Sequence, residues 1–386
     1  MLKKMKSNEK MKQLMTNYYM MGFASEHVSW ITSGAPVEIL YAMDIYPFYP
    51  ENHSALFGAA KQGTYYAEVA EKLGFSRDLC SYARCDIGCV VSSVNVPNPT
   101  FLFACNNICN TVVKWYEVLS RIYKVPLFFL DTPFVRKELK ENYIRYVHDQ
   151  LVEFIDFAEK ITGKELSDLK LRKTLQLALK GVKAYKDALL MGRNKPSPLT
   201  AFDAFINMAP IVCLRGTEYP INFYEEMKLE LEDRVKKGIA AVDDEKIRLL
   251  WDNIPIWYRL KWLGEFFASR NTCIVADTYT NAWSWMIVKD KSNVLESLAE
   301  TYIFIYLNVG IEHMAKAIND LVNIYDVDGV VIHSNRSCKP YSFGQYEIQK
   351  MIEVPSVVIE ADMVDERVFS EAQIVTRLEA FLEMLK

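Results

Sequence analysis

Short apolar runs alternate with longer amphipathic segments over most of this chain. The apolar runs predict strands at V-S-W-I-T, D-I-Y-P-F-Y-P, F-L-F-A-C and V-P-L-F-F-L-D-T-P in the first half, and at I-R-L-L-W-D-N-I-P, C-I-V-A-D-T-Y, D-G-V-V-I-H-S-N and S-V-V-I-E-A-D in the second. Helical patterns lie between them. Alternation of strand and helix is typical of a parallel sheet covered on both faces. We therefore predict an α/β fold with two lobes of comparable size.

The boundary between the lobes is predicted from one linker-like segment. Two long helical runs, around 139–162 and 165–192, are followed by R-N-K-P-S-P, after which the strand–helix alternation returns. We therefore assign residues 1–195 to an N-terminal lobe and residues 196–386 to a C-terminal lobe. An amphipathic helix is predicted over residues 4–26, and another helix over 77–91.

Composition limits the possible partners and the compartment. The 386 residues are 51% hydrophobic and 24% charged, as in globular proteins. A net charge of -4 without a basic tract argues against nucleic acid as the main partner. The charged N-terminus lacks the apolar core of a signal peptide, and no apolar run approaches the length of a membrane span. We expect a cytoplasmic protein without a membrane partner, in which clustered cysteines hold metal or do redox work.

The cysteines are concentrated in one stretch. Five of the eight lie between Leu79 and Asn110 and three are scattered; the five are Cys80, Cys85, Cys89, Cys105 and Cys109, and the three are Cys213, Cys273 and Cys338. Functional groups in open α/β sheets gather at the carboxyl ends of strands. Cys105 and Cys109 end or follow F-L-F-A-C, and Cys338 follows D-G-V-V-I-H-S-N. We therefore predict that six cysteines converge on one cleft between the lobes, and that Cys213 and Cys273 are core residues.

The cysteine spacing favours iron–sulfur chemistry over the alternatives. A zinc site is usually built from paired C-x2-C motifs, and a redox dithiol also prefers C-x-x-C. The spacings here are C-x4-C-x3-C and C-x3-C. An inert structural role stays open for any one of these cysteines. Iron clusters take thiolate ligands at varied spacing, and six thiolates would suit two cubanes that each take three cysteines and share a sulfide.

Three longer segments resemble a known superfamily. S-G-A-P-V-E-I-L-Y-A-M-D-I-Y-P-F-Y-P-E-N-H-S, L-C-S-Y-A-R-C-D-I-G and the ending from E-A-D-M-V-D-E-R to F-L-E are similar to the 2-hydroxyacyl-CoA dehydratase and class I benzoyl-CoA reductase superfamily. The likeness covers nearly the whole chain. It implies two Rossmann-like lobes with parallel sheets and a metal cluster in the cleft between them. It also implies Cys80, Cys109 and Cys338 as ligands of one [4Fe-4S] cluster. The electrons would come from a separate iron–sulfur activator protein, and that activator, not this chain, would bind and hydrolyse the ATP.

The remaining cysteines depart from that pattern. Cys85, Cys89 and Cys105 stand where these dehydratases and reductases do not usually keep cysteine, and three more thiolates are what a second cubane requires. The full set resembles the double-cubane cluster proteins. That branch implies an [8Fe-9S] cluster, a homodimer, and ATP-driven, low-potential reduction of a small-molecule substrate by an oxidoreductase of anaerobic metabolism. Two alternatives stay open: a dehydratase or benzoyl-CoA reductase subunit with one [4Fe-4S] cluster, and a non-catalytic electron-storage protein.

Several other side chains near the predicted ligands are candidates for supporting roles. His53 and His333 are candidate proton donors, and a hydrogen-bonded structural histidine is the alternative for each. Arg84 and Arg336 could neutralise thiolate or sulfide charge, with a surface salt bridge as the alternative. Glu51 and Asn52 belong to the family-like motif with an open role. The tryptophans Trp257, Trp283 and Trp285 are predicted to be core or interface residues.

Overall fold

The computed structural model describes residues 3–284, 286 and 293–386. It contains two four-stranded parallel sheets, one in each half of the chain. The first has the order β2-β1-β3-β4 and the second the order β6-β5-β7-β8. The strands are β1 (Val28–Ile31), β2 (Tyr46–Phe48), β3 (Phe101–Cys105), β4 (Leu127–Leu130), β5 (Ile247–Asp252), β6 (Thr272–Asp277), β7 (Gly329–Asn335) and β8 (Ser356–Ala361). The predicted α/β class with two parallel sheets is confirmed.

The strands form because their apolar runs can be buried on both faces. Every residue of β1, β3, β5 and β6 is buried, as expected when helices cover both sides of a parallel sheet. In the first sheet Trp30 lies beside Phe48 on β2 and Leu102 on β3. The rings of Trp30 and Phe48 are 4.7 Å apart, so large aromatic contacts stabilise the pairing.

Helices connect the strands and cover both sheets. In the first half they are α1 (Ser7–Ala24), α2 (Val37–Ala42), α3 (Pro50–Ala59), α4 (Gly63–Lys72), α5 (Ser81–Val91), α6 (Thr111–Tyr123), α7 (Glu141–Thr162) and α8 (Asp168–Leu189). In the second half they are α9 (Ala201–Asn207), α10 (Ala209–Cys213), α11 (Tyr219–Lys236), α12 (Leu260–Ala268), α13 (Thr278–Asn281), α14 (Val294–Ile303), α15 (Ile311–Tyr325), α16 (Lys339–Ser342), α17 (Gln345–Met351) and α18 (Glu371–Met384). Among the described residues, no helix is both long enough and apolar enough to cross a lipid bilayer.

The two halves share packing contacts through their helices. Helix α14 from the second half packs on α7 from the first, and α11 packs on α8. The first sheet and several strand residues of the second belong to one continuous apolar cluster. Along the chain, residues 195 and 196 come after the last strand of the first sheet and before the first strand of the second. The domain boundary there stays a prediction.

One predicted helix boundary differs in a way that matters for the cysteines. The helix predicted over residues 77–91 begins only at Ser81, because Cys80 has non-helical backbone angles (φ -45°, ψ 125°) and occupies the N-cap position. Cys80 is therefore held in front of the first turn of α5, where backbone N–H groups have no helical acceptor.

The carboxyl ends of both sheets meet at one cavity. Its wall includes Ser33 and Gly34 after β1 and Cys109 after β3, together with Cys338 after β7 and Met363 after β8. The topology thus brings loops from both halves of the chain to one place, where functional groups of open α/β sheets are expected.

Candidate metal centre

Three cysteines from distant parts of the chain line this cavity. Cys80, Cys109 and Cys338 all contribute to a wall that encloses about 140 Å³. Cys338 interacts electrostatically with both Cys80 and Cys109, which places the three thiols within reach of one another. They are the three residues that the superfamily resemblance implies as ligands.

Each of these thiols accepts backbone hydrogen bonds where a helix begins. The N–H groups of Tyr82 and Ala83 donate toward the sulfur of Cys80. The sulfur of Cys109 accepts from the first turn of α6, and that of Cys338 from the N–H group of Tyr341 in α16. Helix N-termini favour negative charge, so the backbone is arranged to hold three thiolates.

Burial opposes ionisation of the bare thiols. It raises the pKa of Cys80 to about 12, and the nearby Cys109 thiol raises it further. It also raises the pKa of Cys109, and it raises that of Cys338 well above its ordinary value. A coordinated metal centre reverses this balance, because a metal-bound thiol loses its proton. The donor set therefore suits an iron–sulfur cluster better than free reactive thiols.

The three thiols are not grouped around a point where a single metal ion would sit. Among the described residues, no group of three or more His, Cys, Asp or Glu side chains is placed to hold a single metal ion. A cubane binds each cysteine to a different iron, so its ligands need not converge on one point.

A hydrogen-bonded clasp connects the chain next to Cys80 with the chain next to Cys338. The hydroxyl of Ser337 accepts from the N–H group of Ser81 (3.1 Å) and donates to the carboxylate of Asp362. The other oxygen of Asp362 accepts from the N–H groups of Val364 and Asp365, both at 2.9 Å. All these groups are buried, so the clasp restrains two of the three thiols relative to one another.

The other three clustered cysteines do not line this cavity. Cys85 and Cys89 lie one turn apart on α5, fully buried and in contact with each other. Cys105 ends β3 and lies beside Thr132 and Asp131, at the end of the neighbouring strand β4. The predicted convergence of six cysteines is therefore seen for three of them, and the double-cubane interpretation stays a prediction that this arrangement does not favour. Cys213 and Cys273 are fully buried, which confirms them as core residues.

Glu51 is the carboxylate in the cavity wall. Its Oε1 accepts from the backbone N–H group (3.1 Å) and the hydroxyl (3.4 Å) of Ser33, while Oε2 is buried with no partner among the described residues. Burial raises the pKa of Glu51 to about 7, and the Ser33 hydrogen bonds only partly offset that rise. A carboxyl that titrates near neutral pH can both hold and release a proton, which is the property of a general acid–base group.

The two histidine candidates lie outside the cavity lining. His53 packs between the rings of Phe48 and Phe57, and burial lowers its pKa to about 4. His333 is fully buried with Nδ1 2.6 Å from the carbonyl oxygen of Ile254, and burial likewise lowers its pKa to about 4. Both rings are held neutral, and their catalytic role stays a prediction.

The two arginine candidates differ from each other. Arg84 is 2% exposed and pairs with Glu71 and Asp365, while its Nε donates to the carbonyl oxygen of Leu79. Arg84 thus holds the loop before Cys80 through Leu79, and the partners of its charge are carboxylates. Arg336 is exposed, and its backbone N–H group donates to Ala361.

Sequence reasoning missed a buried ionic group in the cavity wall. Arg215 lines the cavity beside Tyr302 and Trp283, the second of which the sequence predicts as a core or interface residue. The Nε of Arg215 donates to Glu38 at 2.9 Å. Glu38 belongs to the family-like segment S-G-A-P-V-E, and its place there is a sequence signal that could have identified it. Trp257 is half-buried, and Trp285 lies outside the described residues.

Comparisons with known proteins identify the family of this chain. A family model described as 2-hydroxyglutaryl-CoA dehydratase, D-component, matches residues 32–385. The chain is 33% identical to the (R)-2-hydroxyisocaproyl-CoA dehydratase alpha subunit of Clostridioides difficile, covering 93% of this chain and 90% of the relative. It is also 33% identical to the lactoyl-CoA dehydratase subunit alpha of Anaerotignum propionicum, covering 94% and 91%. Identity to a benzoyl-CoA reductase subunit of Thauera aromatica is 27%, over 93% and 88%. With near full-length matches and the α/β fold together, this chain belongs to the 2-hydroxyglutaryl-CoA dehydratase D-component family, within the superfamily of 2-hydroxyacyl-CoA dehydratases and benzoyl-CoA reductases.

Proposed function

We propose that this chain is the cluster-carrying subunit of an activator-dependent 2-hydroxyacyl-CoA dehydratase, in which Cys80, Cys109 and Cys338 bind one [4Fe-4S] cluster. The observation that carries the proposal is that these three thiols line the same cavity at the carboxyl ends of both sheets. Backbone N–H groups directed at the sulfurs support an anionic group there.

One cubane fits the cavity better than two. A double cubane would require Cys85, Cys89 and Cys105 at the same wall, whereas all three are packed into the protein elsewhere. The single-cluster alternative is therefore the one we adopt, and a subunit of this kind usually works with a second, different subunit. We adopt the dehydratase reaction because three dehydratase alpha subunits are 31–33% identical to this chain, against 27% for the reductase subunit, while the 2-hydroxyglutaryl-CoA dehydratase alpha subunit is 26% identical.

The chain's own residues would prepare the reaction around that cluster. Bound by three cysteines, a [4Fe-4S] cluster supplies one-electron chemistry and an iron without a protein ligand. Glu51 would hold or deliver the proton that elimination of a hydroxyl group needs, because its free oxygen is buried in the wall and its pKa is about 7. Ser33 orients this carboxyl through both of its hydrogen bonds. The electrons would come from an ATP-hydrolysing iron–sulfur activator.

Iron content of cysteine variants tests the ligand set. Protein purified without oxygen is expected to contain about four irons per chain, against about eight for a double cubane. Cys80→Ala, Cys109→Ala and Cys338→Ala should each lose iron. The matched variants Cys85→Ala and Cys105→Ala should keep it, since they remove buried thiols away from the cavity. Loss of iron from the matched variants would instead support the double-cubane interpretation.

Turnover separates the remaining possibilities. Reduced activator, ATP, the partner subunit and a 2-hydroxyacyl-CoA should give the enoyl-CoA product. Glu51→Gln should bind the thioester and keep its iron but lose most of the rate, about 100-fold or more for a lost general acid–base group. A cluster that cycles without turnover of any thioester would favour electron storage, and reduction of other small molecules alone would favour the double-cubane branch.

A further inference from the structure

A buried cation in the cavity wall is paired with a buried carboxylate and a phenol. Arg215 is 6% exposed, and its Nε donates to Oε1 of Glu38 at 2.9 Å. Its Nη2 donates to the hydroxyl of Tyr302, and that hydroxyl donates to Oε2 of Glu38 at 2.7 Å. The guanidinium also lies over the rings of Trp283 and Tyr302, with its central carbon 5.6 and 5.5 Å from their centres. The three polar groups form a closed triangle.

This triangle carries no net charge. Glu38 is completely buried on α2, and its carboxylate is the counter-ion of the guanidinium. Burial opposes the charged state of Arg215, but Tyr302 and the Glu38 carboxylate outweigh this effect and raise the pKa of Arg215. A cation held in this way has its charge cancelled behind the wall, so it offers little attraction to an anion inside the cavity.

Most of the remaining wall is apolar. Val112, Val212, Ile254, Ile305 and Leu307 line it, and Trp283 adds an aromatic face. Apart from thiols and phenols, the ionisable side chains in the described part of the wall are Glu51 and Arg215. In its ionised form Glu51 would repel the carboxylate of a substrate side chain.

We propose that the cavity selects 2-hydroxyacyl thioesters with an uncharged, apolar side chain, and that Glu38 sets this selectivity by neutralising Arg215. The inference rests on the proposed function and adds the substrate class. In the described part of the wall the cation is Arg215, which is already paired with Glu38, so a thioester that carries a carboxylate on its side chain would bury that charge at a high cost. An apolar side chain, such as a branched or an aromatic one, would instead be stabilised in the cavity because its surface is removed from water.

Binding and turnover of three thioesters test the wild-type preference. The probes are 2-hydroxyisocaproyl-CoA, a 2-hydroxyacyl-CoA with a phenyl side chain, and 2-hydroxyglutaryl-CoA. Binding is measured by calorimetry, and kcat/KM is measured with partner subunit and activator present. The first two should exceed the third about 100-fold or more in kcat/KM, because an unpaired buried charge discriminates strongly. The calorimetric affinities should follow the same order without the activator.

A charge-removing substitution behind the wall tests the role of Glu38. Glu38→Gln keeps an oxygen for Nε of Arg215 but leaves its positive charge uncompensated. We expect the ratio of kcat/KM for 2-hydroxyglutaryl-CoA to that for 2-hydroxyisocaproyl-CoA to rise about tenfold or more, because the cavity then offers a cation. The control Glu38→Gln/Arg215→Met removes both charges and should keep the wild-type order.

The outcomes separate the two levels of the argument. If none of the thioesters binds or reacts, the proposed function fails and the inference falls with it. If they react but wild type prefers 2-hydroxyglutaryl-CoA, the inference alone is overturned. The same holds if folded Glu38→Gln leaves the ratio unchanged, or if the double variant accepts the dicarboxylic thioester. Should Glu38→Gln not fold, the wild-type panel and the double variant still decide the matter.

Discussion

The clasp between Ser81, Ser337 and Asp362 makes a quantitative prediction about the cavity. Ser337→Ala removes the acceptor of the Ser81 N–H group and the donor to one oxygen of Asp362. The Ser337 side chain is buried, so water replaces neither bond without rearrangement. A buried group left without its partner costs about 1–3 kcal/mol. Two such groups, with Asp362 still bonded by two backbone N–H groups, give an expected loss of about 2–4 kcal/mol.

Urea denaturation of the cluster-free chain measures that loss, with a serine in a different setting as the control. Ser269 is exposed, and its hydroxyl donates to the carbonyl oxygen of Phe266 at 2.9 Å. Ser269→Ala should therefore change the free energy of unfolding by about 0.5 kcal/mol or less. A double-mutant cycle of Ser337→Ala with Asp362→Asn should give a coupling of about 1–2 kcal/mol, as for residues in one hydrogen-bond network.

The clasp also predicts an effect on iron retention. Because Ser81 follows Cys80 and Ser337 precedes Cys338, loss of the clasp frees two of the proposed ligands to separate. Reconstituted Ser337→Ala should therefore release iron to a chelator faster than Ser269→Ala does. If the free energy of unfolding of Ser337→Ala is within about 0.5 kcal/mol of the wild-type value and the variant keeps its iron equally well, the clasp does not restrain the two cysteines.

Three other substitutions test the packing and charge of the same region. Neutral His333 has a pKa of about 4 in the folded chain, below its ordinary value of 6.5, so the unfolded chain binds a proton first and stability falls as the pH drops through that window. Between pH 7 and pH 5 the free energy of unfolding of wild type, measured by urea titration, should fall by about 2 kcal/mol more than that of His333→Gln. The same fall in both proteins would contradict this. Gly88→Ala should destabilise the chain by about 2–3 kcal/mol, because the added methyl group would lie 1.9 Å from a backbone oxygen of α4. The control Gly181→Ala in α8 has room for a methyl group and should be neutral or stabilising by up to about 1 kcal/mol. Equal shifts of the two variants in thermal unfolding would contradict the close approach of Gly88 to α4. Arg84→Gln breaks a buried ion-pair network and should lower the free energy of unfolding by about 3 kcal/mol in urea denaturation. The control Arg336→Gln changes an exposed arginine and should alter it by about 0.5 kcal/mol or less. Similar losses for the two variants would show that burial of the ion pairs does not set the cost.

Much of the fold could be predicted from the sequence because its strands are apolar runs between helical patterns. All eight predicted strands are present, and β3 spans the whole F-L-F-A-C segment. The placement of Cys109 and Cys338 after strand ends also followed from topology, since the carboxyl ends of parallel strands lie at one edge of a sheet. The start of α5 could not be predicted, because it depends on the non-helical backbone of Cys80, which no periodicity in the sequence reveals.

The buried charges of the site were less accessible to sequence reasoning. Glu38 and Arg215 are 177 positions apart in the sequence, and they meet where α2 contacts the chain that follows α10, a contact that also includes the hydrogen bond from Tyr41 to Cys213. Glu51 could be identified as part of a motif, but its raised pKa depends on burial that the sequence does not state. Long-range pairing of polar groups is therefore what the sequence left open, whereas local periodicity was readable.

The dense cysteine stretch shows why residue type alone did not determine which cysteines line the cavity. Cys85, Gly88 and Cys89 are spaced three and four positions apart, so they share one face of α5. This face packs on α4, where Gly88 comes so close to the carbonyl group of Tyr66 that an added methyl group would collide with it. A face of small side chains allows that approach, and a buried cysteine behaves as a small hydrophobic residue. Packing between two helices thus gives Cys85 and Cys89 a reason to be cysteine without metal, while the helix start places Cys80, in the same stretch, at the cavity with its sulfur facing backbone donors.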